Sequence, residues 1–316
     1  MQIQFLGTGA GMPSKQRNTS ALALKLLEER GSFWLFDCGE ATQHRMLHTT
    51  LKPRKLEKVF ITHLHGDHIF GLPGMLGSRG FLGGSGRLDL YGPKGLREWI
   101  EVTLRISRTH LNYELAVHEV DEGTVFEDES FIVSALPLDH VVPCFGYRVE
   151  QKPLPGKLLI DRAKEAGVPK GPLLRELKEG RDITLPDGTA VRSRDVTGPP
   201  QRGFTVTILG DTRFTPNAIK LAQDADVVIH EATFDRGSAH LAGPYGHSTI
   251  VDAAKTAHLA GAGSLIANHI SARFLPEDAE HLAAEAAEVF TPVEIAEDLA
   301  EYEWKNGNLR RLHPSN

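Results

Sequence analysis

Three histidines and an aspartate fall within six residues, His63-Leu64-His65-Gly66-Asp67-His68, directly after the apolar run Val59-Phe60-Ile61-Thr62. No other stretch restricts the fold as strongly. Three imidazoles and a carboxylate cannot share a buried loop without a cation or a dense hydrogen-bond network. Imidazole together with carboxylate suits zinc and related divalent metals, manganese and iron included. Gly66 lets the backbone turn tightly enough for the side chains to converge. Further candidate ligands follow other strand-like runs. Asp139-His140 follows Ala135-Leu136-Pro137-Leu138, Asp211 follows residues 205–209 and Gly210, and His269 follows Leu265-Ile266-Ala267-Asn268. Each alone would pass for an ordinary loop residue. Together they supply enough ligands for two metals, provided the fold brings several strand ends to one place.

The rest of the chain fits that demand. Apolar runs at 3–6, 21–26, 33–36, 59–62 and 88–91 read as strands, with helical patterns at 42–51 and 94–106 between them. The second half repeats the mix: runs at 131–135, 145–149, 205–209 and 227–230, and helical patterns near 216–223, 249–261 and 276–289. This predicts an α/β architecture in which helices cover sheets. No apolar run approaches the ~18–20 residues of a membrane span. The opening MQIQFLGTGAG has no basic, apolar leader pattern. Cys38 and Cys144 are too few to staple 316 residues and read as packing residues of a reducing, cytoplasmic compartment.

A net charge of −6 argues at first against a nucleic-acid partner. Its distribution argues otherwise. Residues 276–304 carry ten acidic and no basic residues, residues 151–202 carry a net +4, and the remainder is neutral. The acidic stretch reads as a solvated helix face. The basic segment holds seven prolines and six glycines, and its two helical patterns, 158–166 and 172–179, lack a third partner to bury against. It reads as a protruding insertion within a single domain, and loops of that length are more often functional than idle. Residues 307–316 read as a disordered tail.

Two residues stand outside the candidate ligand set. Glu231 ends the apolar run Val227-Val228-Ile229, so its charge needs a partner. His247 lies in Gly243-Pro244-Tyr245-Gly246-His247-Ser248-Thr249, before a helical pattern. Alone it reads as part of a helix start. Beside Glu231 it becomes a candidate general acid, because a carboxylate fixes the imidazole tautomer and raises its pKa. The Gly-rich opening Gly7-Thr8-Gly9-Ala10-Gly11-Met12 fails as a dinucleotide fingerprint, since Met12 stands where the third glycine is needed. It reads as a tight strand-end turn.

The His63–His68 run with His140, Asp211 and His269 resembles the metallo-β-lactamase superfamily. The opening FLGTGAGMPSKQRN, the loop GLPGML, His230-Glu231-Ala232-Thr233, His247-Ser248-Thr249 and VPKGPLLRELKEG narrow the resemblance to the short form of ribonuclease Z, the tRNA 3′-processing endonuclease. The resemblance runs from residue 1 to about residue 304. It implies an αββα sandwich of two packed mixed sheets flanked by helices, and two zinc ions per subunit. One zinc would take His63, His65 and His140, the other Asp67, His68 and His269, with Asp211 bridging. It also implies that Asp67 orients the attacking water and that His247, supported by Glu231, protonates the leaving oxygen. The family works as a homodimer and holds its precursor tRNA with a basic arm. That role would fall here to Lys157, Arg162, Lys164, Lys170, Arg175, Lys178 and Arg181. Lys15, Arg17 and Arg273 are candidate phosphate contacts nearer the centre; a solvated basic loop is the plain alternative for the first two. The competing readings are a small-phosphodiester hydrolase of the same superfamily and a metal-binding RNA chaperone without catalysis. The basic segment speaks against the first, and Glu231 with His247 against the second.

Overall fold

The computed structural model describes residues 1–305 and 307–312. The chain forms two compact units: Met1–Phe126 with Val133–Val149 and the chain from Thr205 on, and Glu127–Ile132 with Glu150–Phe204.

The first unit is built on two mixed sheets. One has the strand order Asn308–Leu312, Glu301–Lys305, Gln2–Gly7, Ala21–Leu26, Ser32–Phe36, Leu56–Phe60, Leu88–Gly92, Leu115–Glu119. Its first four joins are antiparallel and its last three parallel. The other runs Val293–Ile295, Leu265–Asn268, Val227–Glu231, Thr205–Ile208, Phe145–Gln151, Phe131–Pro137, Gly123–Glu127, and its first three joins are parallel.

Strand alternation explains the layering, because successive side chains point to opposite faces. Phe33 and Leu35 pack with Met75, Leu76, Leu96 and Ile100 of helices Leu72–Phe81 and Leu96–Ile106. Trp34 and Phe36 face the other way. Phe36 stacks on Phe60 at 4.9 Å and meets Tyr147 of the second sheet at 6.2 Å. The Tyr147 hydroxyl donates to the Ile61 carbonyl at 2.7 Å, so this buried phenol has its partner. On the far side of the second sheet, Val228, Leu265 and Ala267 pack with helices Pro216–Ala222, Ile250–Leu259 and Ala279–Ala287. The order is helix, sheet, sheet, helix: the expected αββα sandwich. Burying each large apolar side chain contributes roughly 1.5–3 kcal/mol.

Several elements differ from their expected bounds. The strand expected at 59–62 spans Leu56–Phe60. Thr62 leaves the ladder because its N–H donates to Asp37 Oδ1 at 2.8 Å. The helix expected at 42–51 stops at Met46. Helix Leu72–Phe81 went unexpected, because three glycines within it mask the buried stripe of Leu72, Met75, Leu76 and Arg79. The expected disordered tail is corrected in part: Asn308–Leu312 pairs with Glu301–Lys305, and Arg310 Nε bonds Glu303 Oε2 at 2.9 Å. Residues 313–316 of that tail lie outside the described residues.

The second unit corrects another expectation. Helices Ile160–Glu165 and Pro172–Lys178 do have further partners: the short helix Ser193–Val196 and the hairpin Ile183–Thr184/Ala190–Val191. Ala163, Val168, Leu177, Ile183, Leu185, Val191 and Val196 form a small core of their own. The two-residue strands carried too little pattern to be read. Lys157, Arg162, Lys164, Lys170, Arg175, Lys178 and Arg181 are all exposed. Lys164 pairs with Asp161 at 3.5 Å, and Arg175 with Glu179 at 2.7 Å. At the root, Leu154 and Gln201 exchange two backbone hydrogen bonds of 2.9 Å.

Candidate metal centre

Parallel strands bring their C-terminal ends to one edge, and loops leaving those ends carry function in open α/β sheets. Glu231 is the last residue of its strand, Asp211 lies three residues beyond Ile208, and His269 follows Asn268 directly. In the other sheet, His63 lies three residues beyond Phe60. The helix Gly66–Ile69 then lifts Asp67 and His68 towards the same point.

His63, His65, His140 and Asp211 form one group of converging ligand atoms, and Asp67, His68 and His269 another. In the first, His63 Nε2 lies 3.1 Å from His65 Nδ1, and His140 Nε2 lies 3.3 Å from the same atom. In the second, His68 Nε2 and His269 Nε2 are 3.2 Å apart, and Asp67 Oδ2 lies 3.5 and 3.4 Å from them. Asp211 Oδ2 faces both groups: 3.6 Å from His63 Nε2, 3.5 Å from His68 Nε2 and 3.4 Å from His269 Nε2. Tetrahedral zinc with bonds of ~2.0–2.1 Å spaces its ligands about 3.3–3.4 Å apart. The donor set therefore fits metal ions in both spacing and chemistry.

In four of the imidazoles the second nitrogen is committed elsewhere, which fixes the tautomer and aims the first. His68 Nδ1 meets Asp37 Oδ2 at 2.8 Å, and His63 Nδ1 meets Thr62 Oγ1 at 3.0 Å. His140 Nδ1 donates to the Gly246 carbonyl at 2.8 Å, and His269 Nδ1 donates to Thr233 Oγ1 at 2.9 Å. Asp37 and His269 hold positive φ angles of 57° and 55°, positions that only a well-determined surrounding sustains in non-glycine residues. Gly246 also has positive φ, and a Cβ there would lie 2.8 Å from His140 Nδ1.

The electrostatics match a cation. Burial pushes the imidazoles of His63, His65 and His140 down, leaving neutral lone pairs for ligation. Burial would do the same to His68, but Asp211, Asp37 and Asp67 reverse it and hold it well above its ordinary value. That ring sits in an excess of negative charge.

His247 and Glu231 meet beside the metal groups. His247 Nδ1 lies 3.8 Å from Asp211 Oδ2 and only 3.0 Å from Glu231 Oε1, so it is engaged by Glu231. The buried Glu231 also accepts from Thr212 N, Ser248 N, Thr233 N and Thr233 Oγ1 at 2.9–3.1 Å. Burial alone would lower His247, but the hydrogen bond and charge of Glu231 push it up to about 9. Thr249 and Asp252 cap the following helix reciprocally, which fixes the chain just after His247.

The structure brings all seven candidate ligands together with Glu231 and His247. Lys15 and Arg273 are exposed, the latter 5.4 Å from the Phe234 ring centroid. Arg17 corrects its expectation as a phosphate contact: its guanidinium is buried and donates to Thr8 Oγ1 at 2.7 Å and the Ala296 carbonyl at 2.6 Å. Sequence reasoning missed Asp37, Thr62, Thr233 and Gly246, which orient candidate ligands without being candidates themselves. The one available signal was that Asp37 and Thr62, like the ligands, follow strand ends.

An αββα sandwich with His and Asp side chains gathered at its strand ends defines a metal-binding hydrolase of the metallo-β-lactamase fold. A crystallised metallo-β-lactamase fold protein, YhfI from Bacillus subtilis, shares it with a TM-score of 0.66 at 20% identity, over 95% of this chain and 98% of that one. The family model for Anti-Pycsar protein Apyc1 matches residues 1–152. Ribonuclease Z of Geobacillus kaustophilus is 54% identical over 97% of this chain and 100% of its own length. Ribonuclease Z of Limosilactobacillus fermentum is 55% identical over 95% and 97%. The crystal structure of human tRNase Z, short form, aligns with a TM-score of 0.69 at 32% identity over 95% and 98%. The chain belongs to the ribonuclease Z family.

Proposed function

We propose that this enzyme is an endoribonuclease that removes the 3′ trailer from precursor tRNA. It cuts after the discriminator base and leaves a 3′-hydroxyl on the tRNA and a 5′-phosphate on the trailer. Two zinc ions per subunit are the cofactors of this reading, one at His63, His65 and His140, the other at Asp67, His68 and His269, with Asp211 shared. The observation that carries the proposal is the His247–Glu231 pair, 3.0 Å apart beside two ligand groups that meet at one carboxylate. A metal-binding chaperone has no use for an acid held there.

Metal ions held by these residues would acidify the attacking water and neutralise charge on the phosphate under attack. Asp67 binds and orients that water through its carboxylate. Glu231 takes the Nδ1 proton bond of His247, so Nε2 carries the proton that moves to the leaving 3′ oxygen. Lys15 and Arg273 contact flanking phosphates. The basic residues of 151–202 hold the RNA by charge and shape, as suits a duplex backbone. The proposed assembly is a homodimer in the cytoplasm, where the unpaired, buried Cys38 and Cys144 stay reduced. No helix among the described residues is long and apolar enough to cross a membrane.

Incubation with end-labelled precursor tRNA, followed by mapping of the cut and its termini, tests the reading. Metal-replete protein that leaves the precursor whole overturns it. Asp211→Ala removes the carboxylate common to both ligand groups. Its metal content, measured by mass spectrometry, is expected to fall from two ions per chain to one or none, with loss of precursor cleavage. Two retained ions would remove Asp211 from the bridge.

A further inference from the structure

Within the acidic stretch 276–304, Asp298 departs furthest from a solvated helix face. Asp298 has a side chain 4% exposed and uses both oxygens. Oδ1 accepts from Thr8 N at 3.0 Å and Thr8 Oγ1 at 2.8 Å. Oδ2 accepts from Asn18 N at 2.8 Å and an Arg45 guanidinium nitrogen at 2.9 Å. Thr8 and Asn18 are the two ends of the glycine-rich loop that leaves the first strand, and Gly9 N donates to the Asn18 carbonyl at 2.8 Å to close it. The buried Arg17 adds a brace from within, through the Thr8 hydroxyl and the Ala296 carbonyl.

This closed loop reaches two metal-ligand residues. Gly11 N donates to Asp67 Oδ2 at 2.8 Å, from a residue with φ +69°, where a side chain would strain the turn. Ile270 N, next to His269, donates to the Thr8 carbonyl at 2.8 Å, and Gly9 and Ala10 pair with Ile270 and Ser271. Asp67 and His269 belong to the same ligand group, with His68.

We propose that Asp298 is a positioning residue for that group alone: it clamps both ends of the loop 8–18, and the clamped loop fixes Asp67 through the Gly11 amide and His269 through Ile270. The inference rests on the two-metal reading above. Asp298→Asn keeps the size of the side chain but replaces one acceptor oxygen by an NH₂, which, whichever way the amide turns, meets a backbone N–H of Thr8 or of Asn18, donor against donor. Partners that orient ligands typically account for 10–100-fold in metal affinity.

The experiment loads the full-length protein with zinc and follows its release to a chromogenic chelator. The expected result in Asp298→Asn is one of two release phases accelerated by about tenfold or more, with the other unchanged. The accelerated phase should disappear when His269→Ala is added, and persist when His140→Ala is added instead. Thr8→Val removes one bond to Asp298 and keeps the side chain's shape; it should shift the same phase by a smaller factor and serves if Asp298→Asn fails to fold. Equal acceleration of both phases, or none, in folded variants overturns the clamp while leaving the two-metal reading intact. Wild-type protein that takes up no ion when zinc is supplied overturns that reading and the clamp with it.

Discussion

Replacing His247 by alanine is expected to leave the proposed metals in place and to lower turnover by about 10²–10⁴-fold, the usual contribution of a positioned general acid. The zinc content should hold because the His247 nitrogen nearest the ligands is engaged by Glu231 at 3.0 Å. The loss should fall on the chemical step. A ribose 3′ oxygen leaves poorly as an alkoxide, and His247 Nε2 is the protonated group beside the centre once Nδ1 is held by Glu231. Single-turnover cleavage of labelled precursor, with zinc measured on the same sample, separates the two quantities. Wild-type turnover in His247→Ala would remove it from the mechanism, and lost zinc would make it a ligand. Glu231→Gln should lose less, because an amide still accepts from Thr212 N and Ser248 N but no longer supports the imidazolium.

Deleting residues 156–199 is expected to abolish precursor cleavage while sparing hydrolysis of a small phosphodiester such as bis(p-nitrophenyl) phosphate. The segment can be removed cleanly because Leu154 and Gln201 already bond to each other, so its ends are close. It takes its own small core with it, leaving little apolar surface behind. What is lost is a set of nine exposed cations, the seven candidate contacts with Arg192 and Arg194, whose grip on phosphates weakens steeply with salt. In wild type, KM for precursor should therefore rise with ionic strength while the small substrate is indifferent. Mixing the deletion variant with His247→Ala tests the proposed homodimer directly. Recovered cleavage means that one subunit's segment presents RNA to the other's centre. Loss of small-substrate hydrolysis in the deletion variant would instead make the segment structural.

Much of the centre was legible because its chemistry is dense in sequence. Four ligand-type residues stand within His63–His68, and Asp211 and His269 follow strands whose apolar runs are plain. The residues that orient those ligands left no such trace. Thr62, Thr233 and the Gly246 carbonyl act through one hydroxyl or peptide oxygen each, and nothing in their type announces it. Arg17 was misread for a related reason. Its charge suggested phosphate, but Asp298, 281 positions away, supplies a buried network that only the fold brings near. The same distance hid Asp298 inside a run of acidic residues that is otherwise largely surface. In the insertion, the helices were visible and their core was not, since strands of two residues show no alternation.

Gly246 shows how a position without chemistry of its own can be as intolerant as a ligand. Its carbonyl fixes the His140 tautomer, its φ of +79° excludes ordinary side chains, and a Cβ would press within 2.8 Å of the imidazole it holds. No replacement satisfies all three conditions. A saturation library selected for growth should therefore be depleted at Gly246 as fully as at His140. Gly243, inside the preceding helix Ala239–Tyr245 and with open space around its Cα, should tolerate far more replacements. The mutational footprint of this centre is wider than its list of ligands, and part of it is written in backbone.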